Sequence, residues 1–278
     1  MSQTKGSGRN RGHRSNKKNT CDKGQDTVEN VNENSMVLQQ FRTYAAELDD
    51  KHDRFERIVK VGRDITIESK RIIFLLHTID KKSKQDSVLR EAEIRLRNVA
   101  QNPFKIIAQE LANQDPYLYL KAYSSGLEEY VEAVTFYQYL SNDNMESWLE
   151  LEKAFTYTIS DKSETKILQT LVTPYEYILG IADLTGELMR QCINNLATGD
   201  RASCYETCNF VRSMYKGFLG CATASSWKIN RKLCTLKQSL EKIENVCYTI
   251  KVKGSEIPKH ILVDVINDTD SDEGYQAY

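Results

Sequence analysis

The sequence predicts an all-α protein, a single helical domain carried between two polar tails. Three observations carry that expectation. Only 4 prolines and 13 glycines interrupt 278 residues, so long stretches run without a helix breaker. Apolar residues recur at seven-residue spacing across a long early segment, as in a helix with a seam facing partners. Several later segments open on a capping residue followed by proline, or close on glycine. A hydrophobic fraction of 40% and a charged fraction of 28% suit a globular chain.

Taken in order, residues 1–34 are rich in Gly, Ser, Asn, Lys and Arg and predict a disordered basic tail. Lys5, Arg9, Arg11, Arg14, Lys17, Lys18 and Lys23 face only Asp22 there, which suits a nuclear import signal or a solvating tail. Residues 35–262 form the predicted helical domain. Ser35 is its first N-cap. Phe41, Leu48 and Phe55, then Ile58, Ile65, Ile72 and Ile79, keep a seven-residue step, so one long helix is expected from Ser35 towards Ile79. A second helix starts at Asp86 or Ser87, with Leu89, Ala92, Ile94, Leu96, Val99 and Ile106 as its buried face. Pro103 kinks or splits it.

Asp115-Pro116 is an N-cap followed by an N1 proline and opens a helix to about Leu140. Residues 141–172 are the least regular, and the alternation in Phe155–Ile159 reads as a short strand or extended segment. A lone strand is not stable, so the stretch reads as an insertion. Thr173-Pro174 opens a helix that ends near Gly199. Two more helices follow, over about 203–219 and 225–251, the last with Leu233, Leu236, Leu240, Ile243, Val246 and Cys247 as its stripe and Gly254 and Pro258 as its stop. Residues 263–278 hold Asp264, Asp268, Asp270, Asp272 and Glu273 without a base, a flexible acidic tail.

Composition also excludes. A net charge of −1 gives no overall argument for nucleic acid. Seven cysteines without a Cys-x-x-Cys pair, and no signal-peptide pattern, read as reduced thiols inside a cell. Cys204 and Cys208, four residues apart, lack the histidines that a zinc site would need. No apolar run reaches the ~20 residues of a membrane helix. There is no glycine-rich phosphate loop and no nucleophile elbow. His13, His52, His77 and His260 stand alone, and nothing in the sequence marks one as a general base.

Two apolar helical stretches carry acid pairs. Glu132 is the only charge from Tyr130 to Leu140, and Glu129 lies one turn before it. Asp183 and Glu187 are the only charges from Tyr177 to Met189. Each pair projects to one side of its helix. A buried carboxylate needs a compensating cation. Either the acids pair with a base such as Arg190, or two facing helices hold a divalent ion. Without histidine, all-oxygen ligation suits magnesium, or manganese, over zinc or iron. Such an ion activates water and offsets phosphoryl charge, the chemistry of phosphodiester cleavage. Lys70 and Arg71, on the long first helix, are the candidates to grip RNA phosphates; a solvated surface is the plain alternative.

Several motifs resemble the translin-associated factor X family of the translin superfamily. They are Arg63–Arg71 with Phe74–His77, Gly126–Val134, Ala182–Arg190, Thr235–Leu240 and Lys253–His260, in that order. The resemblance runs from about residue 36 to 265 and implies an all-α fold of about seven helices. It implies assembly with translin into a closed hetero-oligomer, the component 3 promoter of RISC. That complex is a metal-dependent endoribonuclease that clears the nicked passenger strand of small interfering RNA and so activates RISC. By the resemblance the catalytic acids fall on Glu129, Glu132 and Asp183, a fourth metal ligand on Glu187, and an RNA-contacting lysine on Lys70. Residues 141–172 depart from the family pattern in length and composition. The expected protein is therefore the catalytic subunit of a magnesium-dependent endoribonuclease that prefers single-stranded RNA. Its partners are translin and RISC components, with no membrane, in cytoplasm and nucleus. The alternative is a non-catalytic helical scaffold or a nucleic-acid-binding partner of translin.

Overall fold

A computed structural model describes residues 35–79, 82–141, 145–160, 165–221 and 227–253. The expected tails at 1–34 and 263–278, the domain end at 262 and the stop at Gly254 and Pro258 lie outside the described residues. The described chain is almost wholly helical, as expected. It comprises α1 (Met36–Leu76), α2 (Lys82–Gln101), α3 (Pro103–Glu110), α4 (Leu120–Ser141), α5 (Trp148–Ala154), α6 (Pro174–Thr198), α7 (Arg201–Cys221) and α8 (Trp227–Lys253). One hairpin, β1 (Thr156–Ser160) with β2 (Thr165–Gln169), interrupts them. None of the described helices is long and apolar enough to cross a membrane.

The chain divides into two units after Lys51. In the first, Met36, Val37, Phe41, Tyr44 and Leu48 are exposed. In the second, the seven-residue series Ile58, Ile65 and Ile72 is buried, with Leu76. The helix ends at Leu76, so Ile79 falls beyond it.

Pro103 splits the second expected helix: α2 stops at Gln101, and the proline takes the first turn of α3. Ala92, Leu96 and Val99 are buried as expected, but Ile94 and Ile106 are exposed. Ile94 lies two residues from both Ala92 and Leu96, about 200° around the helix, so it cannot share their face. Asp115 caps a short 3-10 turn, accepting from the Tyr117 amide, before α4 begins. The 141–172 segment is more ordered than its composition suggests. A capping box between Ser147 and Glu150 starts α5, and β2 supplies the partner that the expected lone strand lacked. The hairpin is tied down from outside: Tyr157 donates to the Ala100 carbonyl, Thr170 to that of Phe104, and Tyr123 to that of Leu171. Phe155 stacks on Phe104 with ring centroids 4.0 Å apart.

Helix α6 packs against α4, α7 and α8. Its ends are as expected: the Thr173 side chain accepts from the Glu176 amide, and Gly199 closes it at φ 84°. Two close approaches set the spacing. A Cβ on Gly180 would stand 2.6 Å from the Glu128 carbonyl oxygen of α4. One on Gly126 would stand 2.6 Å from the Gly62 carbonyl oxygen of α1. Gly180 therefore brings the α6 backbone against the turn of α4 that carries Glu128 and Glu129.

Candidate metal centre

The Gly180 contact decides where the acids go. One and two turns further along α6 come Asp183 and Glu187; along α4 come Glu129 and Glu132. Glu132 feels the charges of Asp183, Glu129 and Glu187, so the four carboxyls share one seam between α4 and α6. Glu132 is the most enclosed, with the residue 8% exposed. Burial first, then the charges of Asp183, Glu129 and Glu187, push its carboxyl up to about 8. Burial also raises Glu129, despite the Lys70 charge beside it. Glu128, one residue before, is raised by burial against the pull of Lys228 and Lys232.

Cations come to this seam from outside it. Lys70 of α1 sets Nζ 3.5 Å from Oε1 of Glu129. Lys232 of α8 donates to both carboxylate oxygens of Asp183. Beyond α1, His77 holds Nε2 2.5 Å from Oε2 of Glu187, and Arg190 reaches the same oxygen at 3.4 Å. Burial works to raise Glu187, but the His77 hydrogen bond and the Arg190, His77 and Lys70 charges outweigh it and hold the carboxyl below its ordinary range. The His77 ring packs on Phe136 with centroids 4.8 Å apart, and its Nδ1 is buried without a hydrogen bond.

The structure thus brings Glu129, Glu132, Asp183, Glu187 and Lys70 together. It turns Arg71 elsewhere. Arg71 pairs with Glu68 at 3.2 Å in the groove lined by Ile67, Arg95 and Ile106. The expected pairing with Arg190 forms, but only with Glu187; Asp183 takes Lys232 instead. Sequence reasoning missed Lys232, Glu128 and His77. Glu128 stands four residues before Glu132, a spacing that shares a helix face and was available as a signal. Lys232 and His77 come from distant segments, and no local pattern marks them.

A divalent ion is tested against the site on its donors. Oxygen ligands from carboxylates are what magnesium and manganese take. Glu132 is a buried acid that feels the charges of Asp183, Glu129 and Glu187. The residues fit such an ion in kind. In their present rotamers they are not drawn around a point: among the described residues no three His, Cys, Asp or Glu are grouped to hold a metal ion. Asp183 and Glu187 are held towards Lys232 and His77.

Residues 53–254 match the Translin family. The chain belongs to that family. It is 42% identical to Translin-associated protein X of Pongo abelii over 282 residues, which cover 96% of each chain. It is 43% identical to the Rattus norvegicus protein of that name over 246 residues, 84% of each. The Schizosaccharomyces pombe homolog is 27% identical over 218 residues, 76% of this chain and 87% of that one. Among solved structures, apo-NeC3PO aligns with TM-score 0.56 at 20% identity over 74% of this chain and 94% of that chain. AfC3PO in complex with duplex RNA aligns with TM-score 0.58 at 21% identity over 80% of this chain and all of that chain. These two likenesses establish a shared helical fold with the Translin family member described here.

Proposed function

We propose that this chain is the catalytic subunit of a magnesium-dependent endoribonuclease formed with translin, one that prefers single strands. Its cellular work is the removal of passenger-strand fragments of small interfering RNA, which activates RISC, in cytoplasm and nucleus. The observation that carries this reading is the meeting of Glu129, Glu132 and Asp183 at one enclosed seam between α4 and α6. The similarity to proteins named for their association with translin supports the partner. The fold shared with a protein solved on duplex RNA supports the substrate class.

Glu129, Glu132 and Asp183 would hold the ion, with Glu187 as a fourth ligand directly or through water. When bound, a magnesium ion supplies an activated water and offsets the charge that develops on a phosphoryl oxygen. The chain's own residues do the rest. Burial keeps Glu132 from competing for solvent, and His77 with Arg190 fixes the Glu187 carboxylate. Lys70 lies at the rim beside Glu129, where its charge steers a phosphate. Arg71, paired with Glu68 in a separate groove, has no part in that rim.

Replacing Glu129 or Asp183 with alanine is expected to abolish cleavage of single-stranded RNA in magnesium, while assembly with translin is retained. Normal cleavage by either variant sinks the assignment. The ion pairs at Asp183 and Glu187 favour a second reading, a scaffold whose acids are a metal-free polar network. Calorimetric titration separates the two, because a scaffold takes up no magnesium beyond the effect of ionic strength.

A further inference from the structure

Lys232 of α8 ion-pairs with an acid of the proposed ligand set. It meets both oxygens of Asp183, with its side chain 28% exposed and that of Asp183 33% exposed. Its charge also reaches Glu128 and Glu132. Accepting the metal-centre reading, we infer that Lys232 is a positioning residue that occupies the acid cluster in place of the divalent ion and must release Asp183 for the ion to bind.

Three features argue for it. First, the pair is made head-on: Lys232 donates to both Asp183 oxygens, so a cation approaching that carboxylate from the same side meets the ammonium charge. Second, the side chain has the right chemistry to leave. A lysine is a compact, well-hydrated charge on a flexible stem, whereas a permanent bidentate clamp favours arginine's fixed fork. Third, the acids are held by cations from separate elements: Lys70 on Glu129, Lys232 on Asp183, and His77 with Arg190 on Glu187. Lys232 thus holds Asp183 before loading. After loading it adds a free ammonium beside the centre, where an RNA phosphate carries the opposite charge.

A competing cation weakens the ligand it competes with. The test uses the full chain, alone and bound to translin, and Mn2+ as the probe, read by loss of the free-ion paramagnetic resonance signal. Lys232→Gln removes the charge and keeps an unbranched polar side chain; Lys232→Arg keeps the charge. The expected result is Mn2+ affinity about two- to fivefold tighter in the Gln variant, the range for a part-exposed ion pair, with the Arg variant near or weaker than the original. Equal or weaker binding by Lys232→Gln overturns the inference. A second measurement does not depend on any variant folding. In the original chain, acylation of the Lys232 amine, followed by mass spectrometry, is expected to speed up several-fold when Mn2+ is added; an unchanged rate overturns the inference. Should Mn2+ bind neither the original chain nor the variants, the metal-centre reading itself fails, an outcome distinct from binding that ignores residue 232.

Discussion

Glu132 meets three other carboxyls in a setting where water is largely excluded, and its titration follows from that. Its carboxyl is pushed up to about 8, while in the unfolded chain it has the ordinary value of 4.5. Below pH 4.5 the group is neutral in both states and costs nothing. Between 4.5 and about 8 the folded chain holds a proton that the unfolded chain has lost, so metal-free stability falls as pH rises through this window. The slope from this one group is bounded by about 1.4 kcal/mol per pH unit. Glu132→Gln is expected to flatten it and to raise stability at the alkaline end, measured by urea unfolding in chelator. An unchanged slope in the variant means Glu132 is charged near neutrality. The acids themselves were legible, because charges that interrupt long apolar runs stand out in a sequence. Their partners were not. Lys232 lies 49 residues from Asp183 and His77 lies 110 from Glu187, and such pairs exist only after folding.

Helix α6 shows how much one missing methyl group decides. Its Gly180 lies under the Glu128 carbonyl and the Val131 side chain, both 2.6 Å from any added Cβ. Its Gly186 has nothing within 4 Å of that position. Of the two glycines, only Gly180 has a close neighbour. Opposite signs are therefore expected within one helix. Gly180→Ala should destabilise by roughly 1–3 kcal/mol, because rigid backbone must shift. Gly186→Ala should stabilise by up to about 1 kcal/mol through helix propensity. Chemical denaturation of both variants checks the pair; a stabilised Gly180→Ala would mean that α4 and α6 stand further apart than described. Helix ends were legible for the same local reason, since Thr173-Pro174 and Gly199 act through their own backbone. The hairpin was not. Thr165–Gln169 carries little alternation, and its stability comes from β1 beside it and from hydrogen bonds to α2, α3 and α4.

At the scale of the whole molecule, a single hydrophobic repeat serves two different purposes. The seven-residue step reads alike from Phe41 to Ile72, yet only the Ile58, Ile65 and Ile72 part is buried within the chain. Phe41 and Leu48 are 65% and 64% exposed, and with Val37 and Tyr44 they recur at helical spacing on one face. Periodicity shows that a face will be covered, not by which chain. An exposed apolar stripe of this kind marks a protein partner, and translin is the partner proposed above. Phe41→Asp combined with Leu48→Asp should then leave the isolated chain's stability within about 0.5 kcal/mol, as these side chains are mostly exposed in it. The same change should weaken association with translin by about tenfold or more, since two apolar anchors become charged. Analytical ultracentrifugation of the mixed chains, beside a melting curve of the isolated variant, reads both quantities. A large loss of stability in the isolated variant would show that these residues belong to the chain's own core. Unchanged association would show that the stripe is not where translin binds.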